Sequence, residues 1–314
     1  MFKKQPLVSI LIPVYNRGNL IRETLMSALA QSYQNIEVIV VDNCSTDNTW
    51  EVVKEISRID DRVKCFQNDI NLGPVKNWKA CIDRASGEFG KILWSDDLIA
   101  DSYIEKTLTY FETSDVGFVY TKTEIFFEDS DISEKHAVLP KTGVYSTEEF
   151  IIGSILGTHY PVSPGCAIFR LKDLKDNLLL NIPNRVNSDF SMHAIGNDLL
   201  IFLLTANRYS KFAYVDSVLS RFRAHKGSIS VSSSDGKLPL HYALAKAFFI
   251  ESNRPDLLKK YNVELMILLM RYKNSAKYGL NNVADFYLES NSPRYDVLYM
   301  VSRVFSKLAH LFRP

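Results

Sequence analysis

Two adjacent carboxylates, Asp96 and Asp97, follow the run Lys91-Ile92-Leu93-Trp94 and precede Leu98-Ile99. Side by side at the end of a strand they repel each other unless a cation or hydrogen-bond donors occupy the space beside them. A hard divalent ion that also grips a diphosphate supplies that charge, as magnesium does when it takes one or two carboxylates together with phosphate oxygens. The pair also reads as an acidic turn capping a helix that begins near Asp101. Two more groups stand at equivalent places earlier in the chain, Tyr15 after the first apolar run and Asp42 after the second. An aromatic face there can stack a nucleobase, worth about 1–3 kcal/mol by analogy with bases on aromatic side chains. A carboxylate there can accept the imide N–H of uracil or thymine, or the N–H edge of guanine, in a charge-assisted bond. The bland alternatives are a surface tyrosine and, for Asp42, a helix cap or Asx-turn in the 42–48 loop.

These groups become neighbours only if their strands lie side by side. Leu7–Pro13, Ile36–Val41, Val63–Gln67 and Phe89–Trp94 are short β-rich apolar runs, and they alternate with helical stretches at Leu20–Ala30, Thr49–Arg58 and Val75–Ala85. Near-continuous apolar strands separated by helices imply a mostly parallel sheet covered on both faces. Ligands then bind outside the carboxyl ends of the strands, where Tyr15-Asn16, Asp42-Asn43 and Ser95-Asp96-Asp97 collect. After residue 115 the alternation breaks: Val116–Phe127, Gly165–Arg170 and Phe212–Arg223 read as strands, Glu128–Lys141 as a polar loop and Asp198–Ala206 as a helix. From about Leu240 every segment reads helical, with breaks near Pro255, Gly279 and Pro293. The expected organisation is a catalytic domain at 1–235, divided into halves at 1–115 and 116–235, and a helical region at 236–314.

The 314 residues carry 37 Lys+Arg against 36 Asp+Glu, a formal charge of +1, which argues against a nucleic-acid binder because phosphate contacts need a clustered basic excess. Hydrophobic residues at 46% and charged residues at 23% exclude a disordered or fibrous chain and leave enough apolar side chains for a sizeable core. Cys44, Cys65, Cys81 and Cys166 form no CxxC pair, so reduced thiols of a cytoplasmic protein are expected instead of a disulfide framework or structural zinc. The first apolar run is too short for a signal peptide, and no stretch reaches the roughly 20 apolar residues of a membrane span.

The segments VSILIPVYNRGN, IEVIVVDNCSTDN, NLGPVKNW and FGKILWSDDLI, in that order, resemble the nucleotide-sugar-binding half of the family 2 inverting glycosyltransferases with the GT-A fold. The resemblance runs over residues 6–104 and implies a Rossmann-like, mostly parallel α/β fold. It implies that Tyr15 lies against the base, that Asp42 hydrogen-bonds the base, that Asp96 approaches the ribose or diphosphate and that Asp97 ligates a metal. Pro13, Asn71 and Asn77 join the nucleotide-sugar contacts on the same ground. Where the family often carries Asp-Asp-Gly-Ser, this chain has Asp42-Asn43-Cys44-Ser45, which keeps the base-binding acid and alters the loop.

Over residues 160–230 the likeness is looser. HYPVSPGCAIFR resembles the acceptor-side segment of bacterial polysaccharide transferases, and RFRAHKGSIS resembles their Arg-x-His segment. This places Arg223 near a phosphate and makes His225 a second metal ligand, in a donor set suited to Mn2+ more than to Mg2+. The base that an inverting transfer requires corresponds to Asp198, preceded here by Asn197 where the family commonly has an acid, with Asp189 as the runner-up. As a rival, Asp198 reads as a helix cap before LLIFLLTA. The implied activity is sugar transfer from a nucleoside-diphosphate sugar to a lipid-linked or oligosaccharide acceptor in bacterial surface-polysaccharide assembly, such as O-antigen or capsule. It would take place in the cytoplasm, at the inner face of the cell membrane. A dinucleotide oxidoreductase is disfavoured because Pro13-Val14-Tyr15-Asn16-Arg17-Gly18 stands where a Gly-x-Gly-x-x-Gly turn belongs. The remaining rival is a non-catalytic binder of nucleotide sugar or glycan.

The last segment carries Val297, Met300, Val301, Val304, Phe305, Leu308, Leu311 and Phe312 at helical spacing, with Arg294, Arg303, Lys307 and Arg313 mostly off that stripe. Residues 293–313 thus suit either peripheral contact with an anionic membrane or packing on the chain's own helices or on a second subunit in a homodimer.

Overall fold

The computed structural model describes residues 5–127, 133–137, 139–157, 160–224, 236–289 and 293–311. Ten strands run in chain order as β1 (Val8–Val14), β2 (Ile36–Asp42), β3 (Val63–Gln67), β4 (Phe89–Ile92), β5 (Leu98–Ile99), β6 (Val116–Phe127), β7 (Ser133–His136), β8 (Gly143–Ser146), β9 (Ala167–Arg170) and β10 (Lys211–Ala224) among the described residues. The helices are α1 (Ile21–Leu29), α2 (Thr49–Ile59), α3 (Pro74–Arg84), α4 (Tyr103–Leu108), α5 (Thr147–Leu156), α6 (Leu171–Asn177), α7 (Phe190–His193), α8 (Asn197–Arg208), α9 (Lys237–Asn253), α10 (Leu258–Arg271) and α11 (Val297–Leu311).

One sheet joins the strands in the order β3-β2-β1-β4-β9-β6-β10-β5, with β7 on β6 and β8 on β10. The pairs β2/β3, β1/β2, β1/β4 and β6/β10 are parallel, whereas β9 inserts antiparallel between β4 and β6. Every residue of β1 and β2 is buried, as expected for strands covered on both faces. Their side chains alternate between two cores: Leu11, Ile39 and Val41 face one, Ile10, Ile12, Val38 and Val40 the other. The second core is roofed by Ile21 and Leu25 of α1, Val53 of α2 and Ile104 of α4. The first runs from Ile82 of α3 through Phe118 and Phe202 to Leu244, Phe249 and Tyr287, so the C-terminal helices pack on the same core as the sheet.

Several sequence expectations shift. The strand expected to end at Val41 continues through Asp42, which pairs with Val14 and Gln67. The 128–141 stretch, read as a loop, contains β7. All four residues of that edge strand are exposed, so no apolar alternation marks it in the sequence. The break at Pro255 is a single 3-10 turn over Pro255–Leu257, and Gly279 has a left-handed φ of 74° at the end of another. α11 lies against α10 through polar groups, with the Tyr299 hydroxyl donating to Glu264 at 2.6 Å and the Arg303 guanidinium donating to the same carboxylate at 3.0 Å. Its apolar residues Val297, Leu298, Val301 and Phe305 point outward, 63%, 84%, 45% and 66% exposed. Of the described stripe, Met300 is half-buried, while Val297, Val301 and Phe305 face away from the chain's own helices. Val304, Leu308, Leu311 and Phe312 lie outside the described side chains.

Candidate functional site

The crevice starts where the sheet divides. The β1/β2 ladder runs to Val14 and Asp42, but the β1/β4 ladder ends at Leu11 and Ile92. The carbonyls of Leu7 and Leu11 bond the β4 side, so by alternation Pro13 also faces β4, which has already turned away. Its missing N–H therefore costs no ladder bond, which explains a buried proline in a central strand. Tyr15 and Asp42 stand on one side of the gap and Ser95-Asp96-Asp97 on the other.

Tyr15 is 41% exposed and free to present a ring face. Next to it Asn16 takes a left-handed φ of 51°, its N–H donating to the Ser45 hydroxyl at 2.9 Å and its amide oxygen accepting from Thr46 N–H. Asp42 is fully buried: its carboxylate accepts from the Ser45 hydroxyl, from Ser45 N–H at 3.2 Å and from the Gln67 amide at 2.8 Å.

The asparagines form a scaffold under this loop. Asn77, expected among the nucleotide-sugar contacts, is only 3% exposed, and its amide donates at 3.0 Å to the Val41 carbonyl while accepting from Asn68 at 3.0 Å. It ties α3 to the ends of the strands beneath the crevice. Asn71 accepts from the Asn43 amide at 2.8 Å and from Gly73 N–H at 2.9 Å, with the residue itself exposed at the loop surface. Gly73 has φ 81° just before Pro74 opens α3, and a Cβ there would fall 2.7 Å from the Met192 sulfur.

Asp97 is 6% exposed and accepts the Arg223 backbone N–H at 2.9 Å through Oδ1; Oδ2 accepts no hydrogen bond from a described residue. Burial, reinforced by the Asp96 carboxylate, pushes its carboxyl well above the usual range. A buried carboxylate with one oxygen unengaged and a like charge beside it fits a divalent cation. Among the described residues no three His, Cys, Asp or Glu side chains stand together, so phosphate oxygens or water would share in the coordination. His225 lies outside the described residues. Two arginines flank the pair: Arg17 donates to Asp96 Oδ2 at 3.2 Å, and Arg223 donates to the Asp96 carbonyl at 2.9 Å and pairs with Glu23. The sequence reading missed Arg17, although an arginine two residues beyond the aromatic at a strand end was a usable signal.

Behind the acids, Trp94 donates through Nε1 to the Ser163 hydroxyl at 2.9 Å and lies 4.7 Å from the Trp78 ring centroid. Lys91, fully buried, donates to the Gly165 carbonyl and, at 3.0 Å, to that of Ile92. Together they clamp the 163–166 turn to the strand that carries the acids. Burial pushes the Lys91 amine down to about 7. No sequence pattern flagged this lysine.

The two candidate bases differ in environment. Asp198 is buried in the first turn of α8, accepting Gly196 N–H at 3.0 Å and Leu199 N–H at 2.8 Å on one oxygen and the Tyr242 hydroxyl at 2.6 Å on the other. Burial pushes its carboxyl up to about 6. Asp189 caps α7, and its hydrogen bond from the Ser191 hydroxyl holds its carboxyl below the usual range. A base for neutral pH needs the former tuning.

The sheet divides at the carboxyl ends of its parallel strands, with the acidic pair across the gap, and the fold is GT-A. The fold matches S. aureus TarS residues 1–349 in complex with UDP-GlcNAc, at a TM-score of 0.65 and 20% identity over 87% of this chain and 75% of that one. The sequence profile of glycosyl transferase family 2 matches residues 9–178, and the chain belongs to that family. Among curated relatives, an uncharacterized glycosyltransferase of Haemophilus influenzae is 41% identical over 33% of this chain, and the match spans only 42% of that protein's length. The Escherichia coli UDP-Glc:alpha-D-GlcNAc-diphosphoundecaprenol beta-1,3-glucosyltransferase WfaP is 28% identical over 72% of this chain and 80% of its own. Among the described residues no helix is long and apolar enough to cross a membrane.

Proposed function

We propose that the protein transfers a glycosyl group, with inversion, from a nucleoside-diphosphate sugar to a hydroxyl of a lipid-linked saccharide in surface-polysaccharide assembly. The acidic pair facing Tyr15 and Asp42 across the divided sheet carries this reading. Tyr15 stacks the base, Asp42 accepts its N–H, and Asn71 and Asn77 hold the loop beneath. Pro13, next to the end of β1 beside the gap, joins the nucleotide-sugar contacts. Asp96 orients the ribose or diphosphate, and Arg17 and Arg223 are placed to turn from their carboxylate partners to phosphate oxygens. Asp97, with His225, would hold a Mn2+ or Mg2+ ion, which supplies positive charge for the departing diphosphate. Asp198 takes the proton of the acceptor hydroxyl as that oxygen attacks the anomeric carbon from the face opposite the diphosphate; the C1–O bond to phosphate breaks and the nucleoside diphosphate leaves. The lipid-linked acceptor is inferred from the activity in WfaP's name.

A thermal-shift panel of UDP-, GDP-, dTDP- and CMP-sugars with Mn2+ tests the donor, since a ligand that binds only the folded state raises its stability. Release of nucleoside diphosphate from the stabilising sugar then separates an enzyme from a non-catalytic binder: binding without turnover under any acceptor supports the binder.

The Asp198 environment sets an expected pH profile. Turnover rises as Asp198 loses its proton near pH 6 and is flat above that. The Tyr242 hydroxyl bond favours the carboxylate, so Tyr242→Phe should move the acidic limb of kcat to higher pH. An unmoved limb would assign the titration to another group.

We further propose that α11 meets an anionic membrane through its outward face. The exposed Arg294 lies at the end of the apolar face formed by Val297, Leu298, Val301 and Phe305, and a basic residue near such a surface adds about 1 kcal/mol. The 314-residue chain should sediment with phosphatidylglycerol vesicles in a salt-sensitive way, and Leu298→Glu/Phe305→Glu should abolish this without unfolding. If instead the variant loses a dimer and keeps its vesicle binding, the face is a subunit contact.

A further inference from the structure

A cavity of about 540 Å3 opens between the start of α3 and the 180–191 segment. Its size is that of a small-molecule site. Its lining is unusual for one, with Lys76, Asn181, Asn184, Asn187, Asp189 and Ser191 outnumbering the apolar side chains. Asn184 is spent on shaping the wall, donating to the carbonyls of Ile182 at 2.8 Å and Ser188 at 3.0 Å and accepting Ser188 N–H at 2.8 Å. Asn181, Asn187 and Lys76, by contrast, are exposed at the rim, and their side chains make no hydrogen bond or ion pair with any described residue. Asn187 is held in the left-handed region at φ 55°.

The wall is braced independently of any ligand. His193 accepts Ile195 N–H on Nδ1 at 3.1 Å, which leaves Nε2 to donate to the Ser188 hydroxyl at 3.0 Å. Burial pushes this imidazole down to about 4, so the brace persists at neutral pH. The same segment connects two parts of the site. At one end Met192 covers Gly73, whose carbonyl accepts from Asn43 beside Asp42; at the other, Gly196 N–H donates to Asp198.

We propose that this cavity is a subsite for a neutral sugar ring of the acceptor saccharide, read by Asn181, Asn187 and Lys76, with Leu180 and Pro183 offering apolar surface to its C–H face. The inference rests on the glycosyl-transfer reading and adds where and by what groups the acceptor is held. A primary amide carries both donor and acceptor, as a sugar hydroxyl does, so unengaged amides around apolar surface suit a polyol. An anion is a poor match, because the single cation Lys76 shares the cavity with the ionised Asp189. The neighbouring 190–196 segment reaches from Gly73 to Asp198, which puts the cavity next to the groups assigned to transfer.

Saturation-transfer NMR with diacetylchitobiose, cellobiose and lactose, on the 314-residue chain with UDP and Mn2+, tests this. At least one disaccharide should receive saturation, and Asn181→Ala/Asn187→Gly should weaken it by about tenfold, the loss expected for two hydrogen bonds to neutral groups, while UDP affinity stays unchanged. Glycine at 187 tolerates the left-handed backbone, so the fold is kept. Lys76→Met should weaken the same sugar. Saturation of no disaccharide while UDP still binds would overturn the subsite and spare the donor reading, as would transfer unaffected by all these variants. Competition by inorganic pyrophosphate would reassign the cavity to a phosphate group. Failure to bind any nucleoside diphosphate, with disaccharide binding intact, would instead overturn the donor reading.

Discussion

Asp97→Asn should abolish the metal-dependent part of nucleoside-diphosphate binding while leaving the protein folded and at least as stable as before. The asparagine oxygen still accepts Arg223 N–H, so the tie between β10 and the acidic pair survives. The charge that burial and Asp96 make costly disappears, and relief of that repulsion favours the folded state. The diphosphate then faces a cation with one anionic ligand fewer. The loss of Mn2+-dependent affinity in titration calorimetry should exceed the roughly 10- to 100-fold that removing an outer partner of a ligand costs. Asp97→Ala should lose the same affinity and also the Arg223 contact. Metal-dependent binding that survives both substitutions would remove Asp97 from the site. Asp96→Asn makes a useful contrast: Arg17 loses an ion-pair partner, so an effect on binding without loss of metal dependence is expected.

The second large effect is on turnover. Asp198→Asn should lower kcat by about 10²–10⁴-fold, the usual contribution of a positioned base, with donor affinity nearly unchanged. The substitution is conservative for the fold, since the amide oxygen can keep the N–H groups of Gly196 and Leu199 while its NH2 donates to the Tyr242 oxygen. The acidic limb near pH 6 should vanish with it. Asp189→Asn should leave the limb in place, because that carboxyl is held below the usual range by Ser191 and is already ionised. If Asp189→Asn shows the kinetic loss and Asp198→Asn does not, the two roles are exchanged.

The parallel half of the sheet was legible because strands buried on both faces must be apolar throughout, and the polar residues at their ends then mark the crevice by elimination. That argument located Tyr15, Asp42 and the acidic pair, and the linked motifs around them identified the family. It reached less far for Asn77, whose polar side chain at a helix start looks the same whether it meets a ligand or, as here, the Val41 carbonyl. It was silent on Lys91, because a single lysine in an apolar run does not declare whether its amine escapes to water or is held by the Gly165 carbonyl.

By itself, then, the sequence determined the local periodicities: which segments are strands covered on both sides, which are helices, and which acids stand at strand ends. Tertiary structure decided what required two distant segments at once. The gap in the sheet opens where the β1/β4 ladder stops at Ile92 and the chain turns to β5, which pairs with β10 about 120 residues further on. Arg17 meets Asp96 across the same gap, 79 residues away in the chain. The tuning of Asp198 depends on Tyr242 from a C-terminal helix, and the outward turn of α11 on Glu264 claiming its polar face. Burial, partner and charge environment are properties of position in space, set by long-range packing that hydrophobic period alone does not encode.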